Sequence, residues 1–238
     1  MRSPLIVLGR LGRDRAARLL ILLAVSLAIF LSVGRMAFNI TDEGFFLDLS
    51  YRIVHGAIPH RDLVTTVLQG SGLLHIIDLA VPTPVLATSR LIAITEWVAY
   101  SAILAAVTFA APFRRWRPTH IGAVLAATVI NLHTFPIMAW YTVDGILFCS
   151  VGIYLLMSAP RPLPMRRAAI AMLLFGGAFV IKLSFGPASL LGAVTIAILS
   201  FHEGWRRCLT KAVLGGLVSA LPFAIYTAWV GLAGGSPT

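Results

Sequence analysis

Acidic and basic side chains are concentrated between residues 39 and 63, in a chain that otherwise consists of long apolar runs. This stretch, NITDEGFFLDLSYRIVHGAIPHRDL, holds six charged residues and two histidines. Carboxylates can take a proton from a reacting group, and arginine can hold a phosphate through charge-assisted hydrogen bonds. The pair Asp42-Glu43 directly follows an apolar run, where water, lipid and substrate would meet. It is therefore the first candidate for chemistry.

The composition predicts what kind of scaffold must position these groups. Hydrophobic residues make up 58% of the chain and charged residues 12%, and the mean hydropathy is +0.90. Such values are typical of integral membrane proteins, whose helices need about 20 apolar residues to cross the hydrocarbon core. We predict an all-α, polytopic transmembrane helical bundle of about seven spans, near residues 19–38, 90–111, 119–138, 143–158, 168–182, 186–201 and 211–231.

The basic residues predict the orientation of this bundle. Fourteen of the 19 lysines and arginines lie in four clusters that alternate with the other loops: Arg2 to Arg18, Arg114 to Arg117, Arg161 to Arg167 and Arg206 to Lys211. Basic loops are retained in the cytoplasm, so we expect a bacterial inner (plasma) membrane protein with a cytoplasmic amino terminus. The net charge of +10 then reflects topology and anionic lipid, and no nucleic acid is expected as a partner.

The first outer loop, residues 39–89, is long enough to contain its own helices. Phe45, Leu49 and Ile53, with Phe46 and Val54 beside them, form an apolar stripe opposite Asp48, Arg52 and His55. Ser71, His75 and Asp78 form a polar stripe on the apolar run from Val64 to Ala80. Both segments are predicted to be interfacial helices with the apolar side towards the membrane. Asp48 and Arg52 are one helical turn apart and can form an ion pair.

These features resemble the first periplasmic loop of GT-C glycosyltransferases, in particular the protein O-mannosyltransferase and aminoarabinose transferase group (glycosyltransferase family 39-like). Those enzymes carry Asp-Glu, then some ten residues, then Gly-x-x-Pro-x-x-Asp, which this chain matches with Asp42, Glu43, Gly56, Pro59 and Asp62. The stretches YTVDGILFCSVGIYLL and GGAFVIKLSFGPASLLG resemble later parts of the same group. The resemblance covers the amino-terminal half of the family. Residues 1–238 are thus expected to be a GT-C-like domain, either as the amino-terminal part of a longer enzyme or as a shortened homologue.

The resemblance implies a sugar transferase at the extracytoplasmic face. Its donor would be a polyprenyl-phosphate-linked sugar, and its acceptor a lipid, a glycan or a protein. Asp42, beside Glu43, is the implied catalytic base for the acceptor, and Arg61 and Lys182 are the implied cations for the leaving phosphate. No cofactor is implied.

A metal is not expected from the sequence. The mannosyltransferase-like group does not require one, and the spacings of His55, His60 and His75 match no familiar zinc motif. No acid joins these histidines at ligand spacing on one helix face, so interfacial histidines are the simpler interpretation.

Four further residues are predicted to contribute to substrate binding, and each also has a purely structural interpretation. Glu96 would be buried in a span and would need a partner such as Arg90 or Lys182. Asp144, near the amino end of a span, could simply interact with the helix dipole. His60 and Asp62 flank Arg61, which could form a loop salt bridge. Lys182 itself could extend to the membrane surface without binding substrate.

The chain also departs from the family, and other functions stay open. Phe45 and Phe46 stand where aminoarabinose transferases carry Arg and Tyr, so an aminoarabinose donor is not expected and the sugar is undetermined. A lipid-linked sugar flippase or a transporter is the main alternative, although no internal repeat is visible. A structural subunit is a third, suggested only by the pairs Gly176-Gly177 and Gly215-Gly216.

Overall fold

The fold is entirely helical over the part of the chain that the computed structural model describes, residues 4–34, 40–63, 68–81 and 84–234. No strand occurs in those ranges. The helices are α1 (Pro4–Val33), α2 (Ile40–Val54), α3 (Gly70–Leu74), α4 (Ile76–Leu79), α5 (Val85–Thr108), α6 (Pro118–Thr134), α7 (Tyr141–Met157), α8 (Met165–Ile181), α9 (Gly186–Ser200) and α10 (Trp205–Leu232). The expected all-α class is confirmed.

Each of the seven predicted apolar segments overlaps one long helix, namely α1 or one of α5 to α10, and positions 35–38 of the first segment lie outside the described residues. Three helical segments are long and apolar enough to cross a membrane: Val85–Thr108, Leu183–Glu203 and Trp205–Leu232. Leu19–Val33 and Tyr141–Met157 are apolar but shorter. Membrane character is therefore supported by length and composition, and the number of spans remains a prediction.

The centre of the bundle is the contact of α8 with α7 and α10. Ala171, Met172 and Phe175 of α8 are completely or almost completely buried. Gly176 permits a close backbone approach, because a Cβ at this position would collide with the carbonyl of Ser219 on α10. Small residues at such crossings are the usual means by which membrane helices pack closely.

The outer faces of α9 and α10 carry large apolar side chains that nothing in the described chain covers. Leu190, Leu191 and Ile198 on α9 and Leu217 and Ile225 on α10 are each more than 60% exposed. A soluble monomer seldom presents so continuous an apolar surface. These faces suit lipid, in agreement with the composition of the two helices.

Helices α2, α3 and α4 form a cap on one end of the bundle. Phe46, Leu49 and Ile53 of α2 are buried against Leu63 and Met138. Helix α2 ends at Val54, and Gly56 then adopts the left-handed backbone conformation (φ 93°) that glycine tolerates best. The structure thus confirms a helix that ends near Gly56.

Only part of the apolar stripe predicted for α2 is buried. Phe46, Leu49 and Ile53 face the core, whereas Phe45 and Val54 are about half exposed. The polar side of the helix carries the expected ion pair, with Arg52 Nε 2.8 Å from Asp48 Oδ2.

Candidate functional site

The cap lies where five helix ends meet. Polar contacts tie the cap and the loop after α2 to the carboxyl end of α10 and to α5 and α7. Arg90 of α5 also reaches the end of α1, and α3 packs against the carboxyl end of α8. The loops that connect α5 to α6, α7 to α8 and α9 to α10 lie at the other end, and they carry the basic clusters around Arg115, Arg167 and Arg206. The structure therefore separates the cap from these basic loops.

Glu43 is held by a buried ion pair at the start of α2. Arg90 Nε donates to Glu43 Oε1 at 2.6 Å, and its second terminal nitrogen donates to Glu43 Oε2 at 2.9 Å. The remaining terminal nitrogen donates to the carbonyl of Gly34 at 2.6 Å. Both charged side chains are at most 3% exposed. Arg90 therefore joins α5, α2 and the end of α1, and it fixes the direction in which α2 starts.

Asp42 has a different environment from its neighbour. It lies in the first turn of α2 and is half-buried. Phe46, one helical turn later on the same face, packs against the Tyr141 ring with 5.5 Å between ring centroids. The Asp-Glu pair thus consists of a half-buried Asp42 and a buried Glu43 that is paired with Arg90.

Lys182 follows the last residue of α8 and points towards the start of α7. Its Nζ donates to Thr142 Oγ1 at 2.9 Å and lies 4.5 Å from the centroid of the Tyr141 ring. The same ring contacts Phe46. The Tyr141 ring therefore lies between Lys182 and Phe46, which is one helical turn after Asp42 on α2. The expected pairing of Lys182 with Glu96 is wrong, because Thr142 and Tyr141 are the partners.

The loop after α2 is attached to the end of α10. His60 Nε2 is 2.8 Å from the Tyr226 hydroxyl, and Arg61 donates to the carbonyl of Ala233 at 2.6 Å. Arg61 also forms two hydrogen bonds to Asp62, whose other contact is the backbone N–H of Ile58 at 2.8 Å. The Arg61 hydrogen bonds, helped by that N–H, lower the pKa of Asp62 to about 2. The structural interpretation of Arg61 as a loop salt bridge is confirmed.

A second group of ionisable residues is buried where α3 and α4 meet α5 and α7. His75 Nδ1 lies 2.9 Å from Asp78 Oδ2, and His75 Nε2 lies 3.2 Å from Asp144 Oδ1. The Ser71 hydroxyl donates to the other oxygen of Asp144. Burial alone would lower the pKa of His75, but hydrogen bonds and charges from Asp144 and Asp78 outweigh it and raise the pKa to about 10.

Glu96 belongs to this buried group and not to an ion pair with Arg90. His75, Glu96 and Asp144 each place one nitrogen or oxygen atom that could bind a metal within 4.8 Å of the other two. Arg90, the other expected partner of Glu96, makes its bidentate ion pair with Glu43 instead. The expectation that either Arg90 or Lys182 neutralises Glu96 is therefore wrong. Asp144 is likewise more than a charge near a helix dipole, because Ser71 and His75 bind it directly.

The polar stripe of the second cap segment is oriented opposite to the prediction. Ser71, His75 and Asp78 are at most 3% exposed, whereas Ile77 is 58% exposed. The stripe points into the bundle, where the Ser71 hydroxyl of α3 donates a hydrogen bond to Asp144 of α7. Residues 64–67, which belong to the predicted apolar run, lie outside the described residues.

The structure thus divides the predicted site residues into three groups. The first group is near the starts of α2 and α7 and contains Asp42, Glu43 and Lys182. The second is the loop attached to the end of α10, with His60, Arg61 and Asp62. The third is the buried group, to which Glu96 and Asp144 belong. Sequence reasoning did not assign Arg90, Ser71, His75 or Asp78 to a site. The spacing of Ser71, His75 and Asp78, at i, i+4 and i+7, was the available signal, since it places all three on one helix face.

One cleft lies away from all of these groups. It has a volume of about 780 Å³ and is lined mainly by apolar residues of α1, α5, α7 and the loop after α5, together with Ser158 and Arg167, at the end that carries the basic loops. None of the candidate residues lines it. We regard it as a groove between lipid-facing helices, because apolar atoms dominate its wall.

Comparison with known proteins adds no family to this geometry. No protein-family model, no curated protein and no solved structure matches the chain. The function is therefore inferred from the residues themselves, together with the short motifs at Asp42-Glu43 and Gly56-x-x-Pro59-x-x-Asp62.

Proposed function

We propose that the protein is a membrane glycosyltransferase that moves a sugar from a polyprenyl-phosphate donor to an acceptor at the extracytoplasmic face. The observation that carries the proposal is the division of the Asp-Glu pair. Arg90 holds Glu43 in a buried ion pair, whereas Asp42 is only half-buried at the start of α2. A rigidly positioned helix with a half-buried carboxylate in its first turn suits a general base.

The chemistry requires a base and a cation on the same side of the protein. In the proposed reaction, the acceptor oxygen forms a bond to the anomeric carbon, and the bond from that carbon to the donor phosphate oxygen breaks. The acceptor proton passes to Asp42. Negative charge grows on the departing phosphate, and the Lys182 ammonium is the cation that stabilises it. The contacts of Tyr141 with Lys182 and with Phe46, which is one helical turn after Asp42, support this pairing.

The lipid part of the donor also finds a suitable surface. Helix α9 begins four residues after Lys182, and its exposed side carries Leu190, Leu191 and Ile198. A polyprenyl chain along this face would place its phosphate near Lys182. The exposed apolar face of α9, which begins close to the half-buried Lys182, thus supports a lipid-linked donor in preference to a water-soluble one.

The proposal is tested by reconstituting the full chain in liposomes with undecaprenyl phosphate that carries a tritiated hexose or pentose. Polyprenyl phosphate is the product whichever acceptor is used, water included, so its appearance reports donor turnover. We expect turnover by the wild-type protein, and a large loss when Lys182 is replaced by Met. If the folded wild-type protein released no polyprenyl phosphate and the donor stayed intact, the proposal would be contradicted.

A lipid-linked sugar flippase or transporter is the second candidate, and one observation favours it. Buried acids and histidines within membrane bundles often mark proton or ion pathways, and His75, Asp78, Glu96 and Asp144 form such a group. In the same liposomes, movement of intact donor between leaflets without release of polyprenyl phosphate would favour this alternative.

A further inference from the structure

We propose that His75, Glu96 and Asp144 form a binding site for a divalent transition metal ion, of which Zn²⁺ is the best match. The site lies between the α3–α4 segment, α5 and α7, and it would join three separate parts of the fold. It does not depend on the proposed transferase activity, because none of its ligands has a role in that chemistry.

The three side chains supply a plausible first coordination shell. Their nearest ligand atoms, one from each residue, all lie within 4.8 Å of one another. Zinc binds histidine nitrogen and carboxylate oxygen at about 2.0–2.2 Å, so two ligands of one tetrahedral ion are about 3.5 Å apart. Small side-chain rotations would bring the group to that spacing. All three residues are buried, which limits competition from water.

His75 is oriented as metal-bound histidines usually are. Its Nδ1 lies 2.9 Å from Asp78 Oδ2, and its Nε2 is directed towards Asp144. A metal would displace the proton from Nε2, and the N–H at Nδ1 would keep its hydrogen bond to Asp78. The Ser71 hydroxyl gives Asp144 comparable support by donating to the oxygen that does not face His75. Asp78 and Ser71 are thus positioning residues for two of the three ligands.

Unsatisfied atoms provide an independent indication that something binds here. Glu96 is only 8% exposed, and its Oε2 is buried without a hydrogen-bond partner among the described residues. Asp78 Oδ1 is in the same condition. A buried carboxylate oxygen that lacks a donor is costly, and the cost is greater when other carboxylates are close. A divalent cation would bind Glu96 Oε2 and offset negative charge on the neighbouring carboxylates.

The donor set indicates the class of metal. One imidazole nitrogen with two carboxylates suits Zn²⁺ and, less specifically, Mn²⁺, whereas Ca²⁺ and Mg²⁺ prefer shells made only of oxygen. The sequence did not suggest this site, because its ligands come from three helices and no two of them have a familiar zinc spacing. A search for histidines and acids on one helix could not have found it.

The site is tested on the purified full chain after removal of metal with a chelator. Equilibrium dialysis against Zn²⁺, followed by elemental analysis, should give one tightly bound ion per chain. Glu96→Gln should weaken binding at least tenfold, and Asp78→Asn should weaken it by about 10–100-fold through loss of the histidine orientation. Asp48→Asn is the matched control, because Asp48 is exposed on α2, and it should bind like the wild type.

A spectroscopic measurement covers the case in which a variant does not fold. Co²⁺ added to the wild-type protein should give the visible absorption of an ion bound by nitrogen and oxygen ligands, and added Zn²⁺ should remove it. Absence of bound Zn²⁺ and of Co²⁺ absorption in the folded wild type would overturn the proposal. Equal Zn²⁺ affinity in Glu96→Gln and the wild type would also overturn it.

Discussion

Replacement of Arg90 by Met should destabilise the fold more than any other loss of a single positive charge in the described chain. Arg90 makes two hydrogen bonds to Glu43, at 2.6 and 2.9 Å, and a third to the carbonyl of Gly34. The variant keeps most of the apolar volume of the side chain, but it leaves the Glu43 carboxylate buried without its cation.

The size of the effect follows from burial. Removing one partner of a buried pair costs about 3–5 kcal/mol, because the remaining charge stays in a poorly solvating environment. The side chains of Arg90 and Glu43 are 3% and 2% exposed, so this range applies. The Asp48–Arg52 pair on α2 is a natural comparison, since its side chains are 49% and 56% exposed. Replacing Arg52 by Met should cost only about 0.3–0.5 kcal/mol.

The assay is reversible unfolding of the detergent-solubilised protein, followed by circular dichroism as a denaturing detergent is titrated in. The free energy of unfolding should fall about tenfold more for Arg90→Met than for Arg52→Met. The double variant Glu43→Leu/Arg90→Met should recover much of the loss, because it removes both charges. Similar small losses for Arg90→Met and Arg52→Met would refute the reasoning, as would a double variant that is less stable than either single one.

Three further predictions concern orientation, packing and the donor phosphate. A cysteine introduced at position 60 should react with an impermeant reagent from outside the cell, and a cysteine at position 115 should not react. The reverse pattern would contradict the predicted topology. Gly176→Ala should destabilise the protein by about 1–3 kcal/mol in the same unfolding assay, because its Cβ would meet the backbone of α10. Gly216→Ala is the control and should be neutral, because position 216 has open space. Lys182→Met should weaken binding of polyprenyl phosphate about tenfold or more in a liposome binding assay, and unchanged affinity would indicate that Lys182 only extends to the membrane surface.

The helices could be predicted from the sequence because their signals are local. Long apolar runs in the sequence correspond to α1 and α5 to α10, and Gly56 marks the end of the cap helix α2. The Asp48–Arg52 pair was also predictable, since the two residues are one turn apart.

Contacts between distant parts of the chain could not be predicted in the same way. Glu43 and Arg90 are 47 positions apart, and His75 and Asp144 are 69 apart, so no spacing rule connects them. The polar stripe that contains His75 was visible, but its partner Asp144 was not assigned to it. In the sequence alone, a polar stripe without a known partner is interpreted as solvent-exposed. The structure shows that it is buried, because α3 packs against α7 and α4 packs against α5.

The most direct test of the proposed transferase is the turnover number of Asp42→Asn with the undecaprenyl-phosphate-linked donor. The substitution keeps the shape of the side chain and removes the proton acceptor. Turnover should therefore fall by roughly 10²–10⁴-fold while donor binding and thermal stability stay close to the wild type. Asp48→Asn, six residues later on the same helix, should retain normal turnover. Full turnover by a folded Asp42→Asn protein would contradict the account.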